Sequence, residues 1–502
     1  MVRDFLGAAA ATTVALLALN GVSADRTPVS HSRLASRQSA SILQKDYKNG
    51  DPAPGARQGD AGGQSIVING NGGHDSNSQR AGCDSIFIGS AAVGGSFSSG
   101  WTEMPQVVGF ETKRDLVVDG GQTVQPYIQE MGKDASKIKR VIIVQPGLPR
   151  DYWKYSNLVR NSLLCASLNQ TAGIDPSTIL ITAPAWLTQA DRSAGAGESN
   201  DLYFAGGGWS TGGNSAGPND ARVSSFTVLD KMTEKFLNKA EYPALTSIYV
   251  TGHSLGGALT QRYAMLRKPT DDDANVAFLT GNPGAYAWPI TDRPIDNPPD
   301  TSCANSRDDW TYGLSNLNSY ARGDDRNDIA SRYASRKVVY GLGLSDNEQG
   351  DTHCEAGYQG TSHLTRGQNM EKALATLPGG VPASHHFNYV ANVAHEDYLI
   401  LSDPVSQYYL FKEGIDTRAA GSGSGSASSS GSSAAASSTS RPSGGQSGSS
   451  GSSGSGSSSG SSGSGSSGNS GNSNNGALSA QGSLAASIVA VVGAAAAAAA
   501  LL

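Results

Sequence analysis

The chain has 502 residues and a formal net charge of −6 with no basic stripe, which speaks against a nucleic-acid partner. Its composition is uneven: some stretches are apolar and others almost wholly serine and glycine, so only part of it can build a core.

The start of the chain places Arg3 ahead of an apolar run from Phe5 to Leu19 and closes on Val22-Ser23-Ala24. That is the layout of a secretory signal peptide over residues 1–24, with an apolar core short for a membrane span. Residues 25–63 are polar, contain Gly and Pro, and read as a mature N-terminal tail or pro-segment. Residues 64–416 are long for one domain but suit a single α/β domain with large loops.

Within it, residues 66–68, 86–88 and 116–118 are short strand candidates. Val141 to Val144 is a continuous apolar run, as in a strand buried on both faces, and Tyr155 to Leu168 repeats its apolar residues at helical spacing. Thr178 to Thr182 is the next strand. A glycine-rich excursion from Ser199 to Pro218, carrying Tyr203, Phe204 and Trp209, reads either as a mobile lid or acyl wall or as a plain surface loop. Val223 to Leu237 is helical. Further strands run over Ser247 to Thr251, Val276 to Thr280, Lys337 to Ser345 and Phe387 to Val393. Strands alternating with helices predict an α/β fold with a mostly parallel, doubly wound sheet, whose site lies at the carboxyl ends of the strands.

The stretch that organises this region is Gly252-His253-Ser254-Leu255-Gly256, a G-x-S-x-G between a β-branched run and a helical one. In that context it is a nucleophile elbow, a turn so tight that glycines must flank the serine, with a helix N-terminus behind it. A serine hydroxyl needs a base, and the base an orienting carboxylate. Of eight histidines, His395 is the expected base, because it alone follows the last strand. His253 packs at the elbow and points away, His353 and His363 sit in the loop of Cys354, and His385 and His386 come at the wrong end of the strand. Asp346, directly after the strand beginning at Lys337, is the expected acid, with Asp351 and then Asp324 or Asp325 as alternatives. The run Asp271-Asp272-Asp273 reads as solvated charge. The oxyanion hole is expected from the N–H groups of Leu255 and Leu148, the latter because Pro149 has none to give.

The four cysteines, Cys83, Cys165, Cys303 and Cys354, read as disulfides in a secreted chain, with Cys303–Cys354 the favoured pair. Zinc held by Cys303, His353 and Cys354 is the rival, and lacks the close C-x-x-C spacing of structural sites. Asn169-Gln170-Thr171 is the one N-glycosylation sequon. Residues 417–475 form a serine/glycine stalk without apolar side chains to offset chain entropy. Residues 476–502, a mixed spacer and then an apolar run after small residues, have the layout of a GPI-attachment signal, with the lipid joined near Asn475.

Val250-Thr-Gly-His-Ser-Leu-Gly-Gly257 resembles the serine signature of lipases and esterases in the α/β-hydrolase superfamily. Taken together, Pro146 to Trp153, Cys354 to Gly360 and Val393 to His395 are similar to a group of secreted fungal α/β-hydrolase-fold proteins of ill-defined substrate. The likeness covers about Arg140 to Phe411. It implies Ser254, Asp346 and His395 as nucleophile, acid and base. Where many lipases carry a His-Gly oxyanion motif, this chain has Gln145-Pro146-Gly147.

The expectation is a cell-surface serine hydrolase acting on a small-molecule or lipid ester, held to the membrane by a GPI lipid. No metal or organic cofactor is implied. A non-catalytic surface binding protein, and an amidase or peptidase, are the alternatives. Oligomeric state is not legible.

Overall fold

Six runs of β-branched and aromatic residues form the centre of one sheet, and two shorter strands extend it. In chain order they are β1 (Phe110–Lys113), β2 (Tyr127–Glu130), β3 (Arg140–Gln145), β4 (Ile179–Pro184), β5 (Ser247–His253), β6 (Val276–Gly281), β7 (Lys337–Gly343) and β8 (His385–Val390). The computed structural model describes residues 66–68, 86–88, 94–105, 109–169, 172–293, 295 and 300–415. The expected signal peptide, the tail to residue 63, the stalk and the anchor signal with Asn475 lie outside the described residues.

The spatial order is β8-β7-β6-β5-β3-β4-β2-β1. Strands β3 to β8 are parallel to one another, whereas β2 runs antiparallel to both β1 and β4. Alternate side chains point to opposite faces, and each face has its own core. Val141, Ile143, Ile248, Val250, Phe278 and Val338 face one layer, with Phe226, Met232 and Phe236 of α3 (Ser225–Leu237) and Leu259 and Tyr263 of α4 (Leu255–Leu266). Ile142, Val144, Tyr249, Leu279 and Val339 face the other, under α1 (Tyr152–Leu168), α8 (Asp397–Leu401) and α9 (Pro404–Phe411). Between these lie α2 (Gln189–Ala194), α5 (Arg326–Ser335), α6 (Cys354–Gly357) and α7 (His363–Ala375). Burial on both faces explains why β3 to β7 read as largely apolar runs, whereas β8, at the end of the sheet, is only partly buried.

The fold departs from the sequence reading in four places. The edge strands β1 (Phe-Glu-Thr-Lys) and β2 (Tyr-Ile-Gln-Glu) were not anticipated, because they are only half-buried and carry polar residues. The strand expected over residues 116–118 is reduced to a single bridge between Val117 and Val124. The last strand starts two residues early, at His385, and stops at Val390. The excursion from Ser199 to Pro218 is not a plain surface loop. It forms a small sheet with Leu187–Thr188, and Phe204 and Trp209 are core residues against Trp186.

Charge follows the same logic. Asp273 is not a solvated loop charge, since it pairs with the buried guanidinium groups of Arg267 and Arg336. Cys303 and Cys354 are joined, with Cα atoms 6.0 Å apart, which removes both sulfurs from any zinc site. Cys165 is also disulfide-bonded.

His385 is buried at the start of β8. Its Nε2–H donates to the Tyr333 carbonyl at 2.9 Å, and its Nδ1 lies 3.0 Å from the Tyr340 hydroxyl. Burial pushes its pKa down from 6.5 to about 4. A folded-state value below the unfolded one contributes stability that is complete above the unfolded value and lost as pH falls through the folded one. The urea-unfolding free energy should therefore drop by on the order of 3 kcal/mol between about pH 7 and pH 4 through this group alone. His385→Asn, which does not titrate there, should show a flatter dependence over that window.

Candidate active site

The strand β5 ends at His253 and α4 starts at Leu255, so one residue, Ser254, makes the whole turn. Its backbone sits at φ 58° and ψ −124°, a left-handed region that costs a non-glycine residue of order 1–3 kcal/mol. Close backbone contacts hold it there. A Cβ at Gly252 would lie 2.6 Å from the carbonyl of Gly256, and one at Gly256 would lie 2.5 Å from the Pro146 oxygen. The Ser254 N–H donates to Gly281 O at 2.9 Å, tying the elbow to the end of β6.

The Gly256 contact also brings the loop after β3 against the first turn of α4. That loop carries Leu148, whose side chain is exposed, and the two expected oxyanion donors, Leu148 N–H and Leu255 N–H, make no hydrogen bond within the described protein. Gln145 replaces the histidine found there in many lipases. Its Oε1 accepts from Trp186 Nε1 at 2.9 Å, while its buried Nε2 has no partner among the described residues.

Asp346 is fully buried just past β7, and His395 nearly so past β8. Asp346 Oδ2 and His395 Nδ1 are 2.8 Å apart. Burial would raise the Asp346 carboxyl, but hydrogen bonds from His363 and His395 outweigh it and hold the pKa below the ordinary carboxylate value. An ionised carboxylate only accepts, so both imidazoles present Nδ1–H to it. The two segments are zipped by Ser345 N–H to Val393 O at 2.8 Å. They are also clamped by Asn282, which accepts from Gly343 N–H at 2.8 Å and donates to Ala394 O at 3.0 Å.

The residue before Ser254 packs against this pair. The His253 ring lies 4.5 Å from the His395 ring, and burial holds His253 well below the ordinary imidazole value. His253 therefore packs against His395 rather than pointing away from it. The Ser254 hydroxyl itself makes no hydrogen bond to His395. Catalytic hydrogen bonds are often long before substrate binds.

The alternative acids are committed elsewhere. Asp351 holds His353 and Tyr312, Asp324 holds Lys268 and Arg332, and Asp325 caps α5. The residue the sequence reading missed is His363. It is not a loop histidine, for it opens α7 and its Nδ1 lies 3.0 Å from Asp346 Oδ1. Seventeen residues separate it from Asp346, and nothing in that spacing marks it.

Asp346, His363 and His395 also have potential metal-donor atoms within 4.8 Å of one another. Both imidazoles turn Nδ1 to the carboxylate at hydrogen-bond distance, so the ionised carboxylate has a hydrogen-bond partner on each oxygen without a cation.

The strand order, the one-residue serine turn and an acid and imidazole after β7 and β8 together make this an α/β-hydrolase fold. No family model and no curated protein matches the chain. Solved structures similar to it include LpqC, a poly(3-hydroxybutyrate) depolymerase from Bordetella parapertussis. It is 17% identical, with a TM-score of 0.40 over 60% of this chain and 88% of that one. Poly(aspartic acid) hydrolase-1 from Sphingomonas sp. KT-1 is also 17% identical, with a TM-score of 0.39 over 57% of this chain and 92% of that one. A feruloyl esterase module from Clostridium thermocellum, complexed with sinapinate, is 12% identical, with a TM-score of 0.34 over 61% of this chain and 88% of that one.

Asn282→Ala should leave the Gly343 N–H and the Ala394 carbonyl unpartnered, costing about 1–3 kcal/mol in chemical denaturation. It should also slow covalent labelling of Ser254 more than a surface substitution of equal stability cost does.

Proposed function

We propose that the protein is a serine hydrolase of carboxylic esters, with Ser254 as nucleophile, His395 as base and Asp346 as its orienting acid. The observation that carries this is the buried Asp346–His395 hydrogen bond beside a strained serine at a helix N-terminus. In the first half-reaction, Ser254 Oγ attacks the ester carbonyl carbon and its proton passes to His395 Nε2. The N–H groups of Leu255 and Leu148 receive the negative charge that develops on the carbonyl oxygen. As the carbon–oxygen bond to the alcohol breaks, His395 returns the proton to the leaving oxygen. Water then gives its proton to His395, attacks the acyl-serine, and the acid leaves with Ser254 restored. Asp346 keeps its charge throughout and stabilises the transient imidazolium.

The proposed setting is extracellular. Disulfide use at Cys303–Cys354 supports it, since such bonds persist in oxidising compartments. The leader and anchor signals read from the sequence would place the protein on a membrane surface through a GPI lipid. Among the described residues, no helix is long and apolar enough to cross a membrane. Asn169, exposed at the end of α1, is the proposed N-glycan site.

A fluorophosphonate probe and a panel of short- and long-acyl esters test the assignment. Ser254→Ala should lose labelling and hydrolysis together, and Asp346→Asn should lower kcat by up to roughly 10⁴-fold, as removal of the charge from a triad acid does. Equal hydrolysis by wild type and Ser254→Ala would remove the serine from the mechanism.

A further inference from the structure

The carboxylate of Asp346 is shared by two imidazoles. Its Oδ2 faces His395 Nδ1 at 2.8 Å, and its Oδ1 faces His363 Nδ1 at 3.0 Å. The two rings stack with centroids 4.0 Å apart and planes 22° from parallel. His363 is buried and held from both ends. Ser362 and Thr365 form a capping box around it, and its own N–H donates to Glu348 O at 2.9 Å. Gly350 and Gly284 back its outer edge, where a side chain at Gly350 would run into the ring.

We propose that His363 is a positioning residue for the proposed hydrolysis: its Nδ1–H fixes the Asp346 carboxylate so that Oδ2 is turned to His395, and its ring walls the base into one orientation. This rests on the hydrolase reading above. A carboxylate with only one side-chain partner can rotate about its last bond and offer either oxygen. With Oδ1 taken by a ring that cannot itself move, that rotation is blocked. The charge of Asp346 is also divided between two donors, so it attracts an imidazolium at His395 less strongly than an undivided carboxylate does.

The charged and titratable groups around His363 fit this role. Asp346 comes from the segment after β7, His395 from the segment after β8, His253 from the end of β5, and Arg366 from the next turn of α7. The Arg366 guanidinium is spent on the carbonyls of Gly360, Gly284 and Asp351. Asp351 turns its own carboxylate to His353 and Tyr312. Burial holds both His363 and His253 below the ordinary imidazole value, so near neutral pH they stay uncharged. The one positive charge formed in the stack during turnover is then on His395.

The test is the rate of fluorophosphonate labelling of Ser254 against pH, which needs no knowledge of the natural ester. His363→Phe keeps a stacked ring but withdraws the donor. Its maximal labelling rate should fall about 10-fold, and its acid limb should move up by about half a pH unit or more, because an undivided Asp346 binds the imidazolium harder. His363→Asn places an amide donor where Nδ1 stood and should return both rate and midpoint toward wild type. A purely structural role would lower stability without moving the limb. An unmoved midpoint in His363→Phe overturns the proposal, as does an Asn variant no faster than the Phe variant. If His363→Phe does not fold, the Asn variant decides alone: a rate within about threefold of wild type with an unmoved limb supports the role, and a loss beyond about 10-fold overturns it. Wild-type protein left unlabelled by the probe overturns the hydrolase reading, and a labelled wild type with unresponsive variants overturns the positioning role alone.

Discussion

The site depends on how closely two backbones pass at the end of β5. Without side chains at Gly252 and Gly256, the strand and the helix behind it meet within van der Waals limits, and the loop after β3 closes on the same turn. Two things follow from that one contact. Ser254 is held in a left-handed conformation at the start of α4, and the loop that carries Leu148 is brought against the first turn of that helix. Packing of the whole sheet stores the local strain, since β5 has neighbours on both sides and is buried over six of its seven residues.

A second constraint acts at the other end of the constellation. Asp346 and His395 lie on separate excursions after β7 and β8, and neither excursion contains regular structure up to its functional residue. What aligns them is polar: the Ser345–Val393 bond, the two bonds of Asn282 and the imidazole of His363. Buried polar groups of this kind are costly unless all are satisfied, so the cluster has few acceptable arrangements. The His395 ring is thereby held between those of His253 and His363, both of which burial holds below the ordinary imidazole value.

Much of this was legible from the chain, for identifiable reasons. Strands β3 to β7 are buried on both faces, and double burial leaves a clear apolar run. The elbow carries its own local demand for glycine, and residues after β7 and β8 inherit their place from parallel topology. Other parts could not be read. The edge strands β1 and β2 are half-polar, so their pattern resembles that of a loop. His363 acts through a contact made only when α7 docks, and sequence spacing carries no trace of docking. Trp209 and Phe204 sit in a glycine-rich stretch whose composition suggests mobility, yet their burial against Trp186 is a property of the assembled core.

That last feature bears on how such a scaffold can diversify. Because the 199–218 excursion is anchored by aromatic rings in the same core as the sheet, its exchange for another loop would disturb folding before it altered selectivity. Leu148 stands in the opposite situation, with its side chain half in solvent beside the serine turn. Under the proposed function, that protruding position is one where selectivity could change while the architecture is left untouched.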